Sequence, residues 1–311
     1  MKSTPYILPL VTAQATRGAT EAATGPAVSP VAQWFATAVL GIGVCVLVAW
    51  AFIRLRNPRK LLLAGAPGRP NRLTPLHIVA LTLAYLLIGS VCGVLAAALL
   101  GGGADESSGS TPALLTAGLM TDFVLAAVVL IVAARTFRHG IARGLGLTGR
   151  RWFVDTVRAG VAILAVFPVC VALLMLAQWL LPEWLHHRHD VLRFLSREAM
   201  LGWKALAVFT AVIAAPIAEE LLFRGMVQSA LVSLLGGRWR AVLVCSALFA
   251  AMHLGVSPGE GRVVGWENLP PLFALSVVLG YNYERTGRLW APMVIHSLFN
   301  GINITVQLLS G

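Results

Sequence analysis

Long apolar runs constrain this chain more than any other feature, because they recur eight times along its 311 residues. A helix that spans a bilayer needs about 20 predominantly apolar residues, and most of the runs reach that length. They predict helices at residues 33–53, 76–100, 113–134, 159–181, 205–235, 241–256, 269–286 and 289–309. The expected fold class is all-α, a polytopic membrane bundle of about eight transmembrane helices around a polar intramembrane cavity.

Composition supports a membrane protein and places the charges between the runs. Hydrophobic residues make up 58% of the chain and charged residues 12%, against about 25% charged residues in soluble domains. The net charge is +11, and a basic chain can bind nucleic acid. Here the basic residues lie in short loops, which is typical of membrane topology. The expected partner is therefore a lipid bilayer and not nucleic acid.

The distribution of arginine and lysine predicts the orientation in the membrane. Loops that hold many of these residues stay in the cytoplasm. The loops after the first and third runs hold Arg54, Arg56, Arg59, Lys60, Arg69 and Arg72, and then Arg135, Arg138, Arg143, Arg150, Arg151 and Arg158. We therefore expect a multi-pass protein of the cell membrane with its N-terminus outside.

The same patterns divide the chain into three parts. Residues 1–30 are rich in Ala, Thr and Pro and predict a disordered extracytoplasmic tail. Residues 31–155 contain the N-terminal transmembrane helices and the basic cytoplasmic loops, and residues 156–311 contain the expected functional core. Residues 182–204 should lie outside but carry several basic residues, so they predict an interfacial amphipathic helix.

Ionisable side chains inside the later runs need an explanation, because each costs roughly 2.5–3.5 kcal/mol on insertion scales. Glu220 and Arg224 are four residues apart, so they share a helix face and can form an ion pair. Glu219 lies about 100° round the helix and is left for other work. The sixth and eighth runs add further polar groups, which are His253, His296 and Asn300.

If these helix faces converge, the polar set is suited to peptide hydrolysis. A carboxylate in a pocket of low dielectric can accept a proton from water, and one imidazole can position that water. A second imidazole and an amide can stabilise the oxyanion. Equally, one glutamate and two histidines could bind zinc, which lowers the pKa of a bound water. The residues alone leave both mechanisms open.

Three motifs resemble those of a known family. The sequence EELLFR at residues 219–224 resembles the E-E-x-x-x-R motif of the CPBP family, the CAAX proteases and bacteriocin-processing enzymes also called Abi proteins. FAAMH at residues 249–253 matches its F-x-x-x-H motif, and HSLFN at residues 296–300 matches its H-x-x-x-N motif. The order of the motifs agrees, and the resemblance covers roughly residues 160–309.

The resemblance implies an intramembrane endopeptidase that cleaves a protein or peptide substrate in or near the membrane. The implied fold has eight helices and a conical cavity open toward the cytoplasm. Glu219 would be the general base, and His253 would help to hold the water. His296 and Asn300 would form the oxyanion site, with the second glutamate and the arginine of the first motif in support.

The resemblance leaves the cofactor open. Family members are often named metalloproteases, and a divalent metal such as zinc would then be held by Glu219, His253 and His296. The eukaryotic prenyl-protein relatives favour a glutamate mechanism without a catalytic metal. Two non-proteolytic alternatives are a membrane scaffold or immunity protein on the same fold and a secondary transporter whose carboxylates carry protons.

Other polar residues have simpler interpretations. Asp122 lies near the middle of the third run and predicts a structural hydrogen-bonding group. Glu284 and Arg285 lie near the end of the seventh run and are expected at the membrane interface. A polar interfacial loop is the preferred interpretation of a histidine cluster that could also bind a transition metal, namely His186, His187 and His189.

Overall fold

The computed structural model describes residues 29–56, 63, 65–100, 112–149, 151–182, 200–256 and 263–310. The histidine cluster at 186–189 and nearly all of the expected tail at 1–30 lie outside these residues. Most of the expected interfacial helix at 182–204 does so too. The predictions made for these segments therefore stay predictions.

Helices dominate the described residues, and the predicted all-α class is confirmed. The helices are α1 (Pro30–Arg56), α2 (Pro75–Leu100), α3 (Pro112–Thr136), α4 (Gly140–Gly144), α5 (Trp152–Leu180), α6 (Leu201–Leu235), α7 (Arg238–Ala251), α8 (Leu269–Thr286) and α9 (Trp290–Ser310). Within the described residues, five of them are long and apolar enough to cross a membrane, namely α1, α2, α3, α5 and α6.

Large apolar side chains cover the outside of the bundle. Trp34 of α1 is 76% exposed, Leu99 of α2 is 76% exposed and Trp179 of α5 is 81% exposed. Soluble proteins rarely show apolar surface on this scale, whereas helices in a bilayer turn such side chains toward lipid. The exposed faces of these helices are therefore suited to contact with acyl chains.

The interior is built from two apolar clusters that bring the later helices together. The first joins α3, α6, α7 and α8 through fully buried side chains that include Leu125, Phe249 and Tyr283. The second packs α5 against α8 and α9 through residues such as Ile163, Leu279 and Ile295. These clusters fix α6, α7 and α9, the helices that carry the three motifs.

The sixth predicted helix, 241–256, is wrong at its C-terminal end. Helix α7 ends at Ala251, and His253 lies in the turn that follows, where its backbone N–H donates to Ala250 O at 3.1 Å. The chain then becomes extended in β1 (Gly255–Val256), which pairs antiparallel with β2 (Val263–Val264). Glycine weakens a helix and valine favours extended backbone, so the helix ends before the apolar run does.

Glu284 was expected at the interface, but the structure buries it completely. Its carboxylate accepts hydrogen bonds from Arg69, from Arg238 at 2.8 Å and from Gln228 at 2.9 Å. Arg285, the next residue, is exposed. The buried glutamate therefore ties the loop before α2 to α6, α7 and α8.

A second ion pair sets the start of α9. Asp155 of α5 is fully buried and forms a bidentate ion pair with Arg288. Nε of the arginine donates to Oδ2, and Nη2 donates to Oδ1 at 2.6 Å. The hydrogen bond with Asp155 raises the pKa of the Arg288 guanidinium above its ordinary value. The arginine therefore stays charged at any physiological pH, and the pair anchors the turn that leads into α9.

Removing the Glu284 carboxylate should destabilise the bundle. Glu284→Gln leaves two arginines beside a neutral amide, and breaking a buried pair in this way costs about 3 kcal/mol. We expect the apparent melting temperature of the purified protein to fall by roughly 5–10 °C. Arg72→Gln, an exposed charge in the same loop as Arg69, is the control and should shift it little. Equal shifts for both variants would contradict a structural role for Glu284.

Candidate active site

Helix α6 is irregular on both sides of its two adjacent glutamates. The α-helical stretch Ala215–Glu220 lies between the π-helical segments Thr210–Ala214 and Leu221–Gln228. Segments of π-helix are rare and occur frequently at functional sites, because they change the direction in which side chains point. In this helix the second segment contains residues 221–224, the last four residues of the first motif.

The first π-helical segment leaves one backbone carbonyl without a donor from its own helix. The N–H of Ala215, which would reach Ala211 O in a regular α-helix, donates to Thr210 O instead. The next residue is Pro216, which has no N–H to offer. The side-chain amide of Asn300 fills the place and donates to Ala211 O at 2.7 Å. Asn300 therefore fastens α9 to α6 at this point.

Glu220 is the centre of the buried polar cluster. It is fully buried, and its Oε1 accepts from Arg224 Nη1 at 3.1 Å, which confirms the ion pair predicted from their spacing. The same oxygen accepts from His296 Nδ1 at 2.9 Å. Arg224 also donates to Ser276 Oγ at 2.8 Å. One carboxylate thus connects α6 with α9 and, through Arg224, with α8.

The contact with Glu220 determines which nitrogen of His296 faces Glu219. A carboxylate oxygen only accepts hydrogen bonds, so Nδ1 of His296 carries a hydrogen and Nε2 points away from Glu220. That Nε2 lies 3.9 Å from Glu219 Oε2. The separation is too long for a direct hydrogen bond and suits a bridging water. Oε2 is buried and has no hydrogen-bond partner among the described residues.

Phe249 brings the second histidine next to the first. Its fully buried ring lies 4.7 Å from the ring of His253 and 5.7 Å from that of His296, measured between centroids. Nδ1 of His253 is 2.8 Å from the carbonyl oxygen of Phe249, which can only accept, so this nitrogen donates. Nε2 is therefore the nitrogen of His253 that is left for a partner other than Phe249 O.

The structure brings some of the predicted site residues into direct contact and places the others further away. Glu219, Glu220 and His296 are grouped directly, and His253 lies across the ring of Phe249 from that group. Asn300 shares its helix with His296 but directs one amide hydrogen to Ala211. The contact between His296 and Glu220 was not predicted, because it depends on how two helices pack and not on spacing within one.

The zinc alternative fits the site poorly. Among the described side chains, no three His, Cys, Asp or Glu residues form a group able to hold a metal ion. The expected ligands were Glu219, His253 and His296. Both histidines donate through Nδ1, which leaves Nε2 available, as in known zinc sites. A three-ligand site also needs both Nε2 atoms and a Glu219 oxygen to converge on one point at about 2 Å, and these side chains do not form such a group.

Two further groups lie close to the first motif. Asp122 of α3 and Tyr85 of α2 are near enough to Glu219 for electrostatic interaction. Asp122 also lines a cavity of about 80 Å³ between α3 and α6, with Phe209 and Ile213 among its apolar walls. The sequence marked Asp122 as a carboxylate at membrane depth, but its neighbours depend on tertiary packing.

Comparison with known proteins assigns the part of the chain that contains the site. Residues 201–302 match the family model described as type II CAAX prenyl endopeptidase Rce1-like. This segment, about a third of the chain, is similar to that family. It contains all three motifs, and the match confirms the resemblance found in the sequence. With five helices able to cross a bilayer, the chain is an integral membrane protein.

A curated relative matches a shorter part of the chain. The uncharacterized protein YpbD of Bacillus subtilis (strain 168) is 34% identical over 85 residues, which is 27% of this chain and 37% of YpbD. This chain therefore spans little more than a third of that relative, whose description adds no activity. No solved structure matches the chain.

The bond from Asn300 to Ala211 O has a measurable structural consequence. Asn300→Ala should lower the free energy of unfolding by about 1–3 kcal/mol, because it leaves the partly buried carbonyl of Ala211 unpaired. Asn303→Ala is the matched control, since Asn303 lies on the same helix and donates only to Phe299 O at 3.0 Å. Thermal melting of the purified variants measures both effects.

A second background tests the origin of the unpaired carbonyl. Pro216→Ala restores a backbone N–H to α6, so Asn300→Ala should cost less in that background than in the natural sequence. The four proteins form a double-mutant cycle, and a coupling of at least about 0.5 kcal/mol is expected for groups that share one acceptor. If Asn300→Ala lowers the free energy of unfolding equally in both backgrounds, Pro216 is not the reason that Ala211 O lacks a donor from its own helix.

Proposed function

We propose that this protein is an intramembrane endopeptidase of the CAAX-protease type, in which Glu219 activates water to hydrolyse a peptide bond in or near the membrane. One observation carries the proposal, the 3.9 Å separation between Glu219 Oε2 and His296 Nε2 inside a buried polar cluster. The Rce1-like match over residues 201–302 supports the class of reaction. The substrate is a protein or peptide.

In the proposed reaction, one water occupies the space between Glu219 and His296. Glu219 takes a proton from this water while its oxygen attacks the scissile carbonyl carbon. The other O–H of the water donates a hydrogen bond to Nε2 of His253, because Nδ1 of that ring is engaged by Phe249 O. This hydrogen stays on the attacking oxygen, which becomes part of the new carboxyl group. When the carbon–nitrogen bond breaks, Glu219 returns its proton to the departing amine.

His296 and Asn300 are the proposed donors to the oxyanion. Because Nδ1 of His296 is held by Glu220, Nε2 is the ring nitrogen that faces the reacting carbonyl. An N–H at that position would stabilise the developing oxyanion. Asn300 adds its second amide hydrogen, since only the first is donated to Ala211 O.

Glu219→Gln should abolish most of the activity. Loss of a general base lowers a rate by about 10²–10⁴-fold. The assay uses purified full-length protein in detergent and two internally quenched peptides, one with an S-farnesyl cysteine followed by three residues and one without the lipid. The Asn303→Ala variant should cleave the peptide at a rate within about twofold of the natural protein, as expected for a substitution outside the proposed site.

The same assay separates the proteolytic function from its alternative. Cleavage by Glu219→Gln at the natural rate, in a protein that remains folded, would contradict the proposed role of the glutamate. If the natural protein also supports its cellular function equally well with Gln at position 219, a non-catalytic scaffold or immunity role is favoured instead.

The proposed location is the cell membrane, with the N-terminus outside and the basic loops in the cytoplasm. Cysteines placed at single sites in a protein without its four native cysteines can test this. Arg72→Cys should react with a membrane-impermeant maleimide only after cells are permeabilised, whereas Ser107→Cys should react in intact cells. The reverse pattern would overturn the orientation.

A further inference from the structure

Helix α7 is too short to cross a bilayer, so its C-terminal end lies within the membrane. Its 14 residues extend about 21 Å, against a hydrocarbon thickness of about 30 Å. Arg238, at its start, donates to the carbonyl oxygens of Ala66 and Pro67, both at 3.0 Å, in the loop expected to be cytoplasmic. The other end carries His253, which therefore lies at membrane depth.

The short strand β1 begins two residues after His253. It pairs antiparallel with β2, with Gly255 opposite Val264 and Val256 opposite Val263. In the part of the chain that the structure describes, the sheet consists of these two strands alone. The edge of β2 is partly covered, because the indole N–H of Trp266 donates to Val263 O at 3.0 Å. Among the described residues, no other strand lies beside the outer edge of β1.

An open strand edge is unusual at this depth. Unpaired backbone groups are tolerated inside a membrane only where protein covers them or where they line a wet cavity. An open edge also binds extended peptides well, because its N–H and C=O groups pair with a second backbone. A protease needs such pairing, since the backbone groups of a helical substrate are already bonded to each other and shielded.

We propose that the outer edge of β1 binds the substrate segment beside the scissile bond as a third, extended strand. The inference rests on the proposed endopeptidase function and deepens it. The edge lies next to His253 in the chain, so a strand bound there would run past the proposed water-binding groups. The substrate class that follows is a segment that readily leaves the helical state near its cleavage site.

Backbone methylation of the peptide tests the geometry without depending on cleavage. Binding of the internally quenched S-farnesyl peptide to the Glu219→Gln variant is measured for a series of peptides, each N-methylated at one residue near the scissile bond. Successive residues of a strand direct their backbone groups to opposite edges, so only one residue of the two-residue strand β1 faces outward. Binding should therefore weaken by about fivefold when the one substrate N–H that pairs with it is methylated, and by less than twofold at the positions on either side. No binding, or loss with a period of three to four residues, would overturn the proposal.

A protein variant tests the edge itself. Val256→Pro removes a strand N–H, whereas Val256→Ala keeps the backbone unchanged. We expect Val256→Pro to lower kcat/KM for the same peptide at least about tenfold and Val256→Ala to change it by less than twofold, with equal helical content by circular dichroism. Natural kcat/KM in a folded Val256→Pro protein would overturn the proposal.

The two experiments separate this inference from the endopeptidase function. Cleavage by the natural protein with an even response to methylation would leave the protease intact and remove the edge. A binding loss confined to one methylated position, without any cleavage by the natural protein, would keep the edge as a peptide-binding site and contradict the protease.

Discussion

The fully buried carboxylate of Glu220 holds the site together. One of its oxygens accepts from both Arg224 and His296, so it links α6 to α9 directly and to α8 through the bond from Arg224 to Ser276. A charge at this depth is tolerated only with such partners. Glu220 accepts from both Arg224 and His296, and a buried oxygen of Glu219 has no hydrogen-bond partner within the described residues. The different roles proposed for the two glutamates rest on this arrangement.

Much of the fold could be predicted because membrane helices are recognised in a sequence by their length and apolar composition. The eight apolar runs correspond to α1, α2, α3 and α5 to α9, and the four-residue spacing of Glu220 and Arg224 correctly gave their ion pair. These features depend on one helix at a time, with a rise and a turn that the backbone fixes. The family resemblance also rested on such local patterns.

The remainder depends on contacts between helices or on the backbone of one irregular helix. Spacing within one helix could not predict that His296 contacts Glu220. Nor could it predict that Asn300 donates to the carbonyl of Ala211. That carbonyl lacks a donor from its own helix because α6 is π-helical just before Pro216. The end of α7 was missed because hydropathy does not distinguish a buried helix from a buried strand. The burial of Glu284 could not be predicted, because its arginine partners come from distant segments of the chain.

Glu220 holds His296 so that Nε2 faces Glu219, and nitrogen-15 NMR of the histidine side chains in the purified protein tests this contact directly, with His296→Gln used to assign the signal. We expect a protonated Nδ1 in a charge-assisted hydrogen bond. Both this bond and most of the cleavage activity should be lost in Glu220→Gln. A His296 signal that is unchanged in Glu220→Gln, or an Nδ1 without a proton in the natural protein, would contradict it.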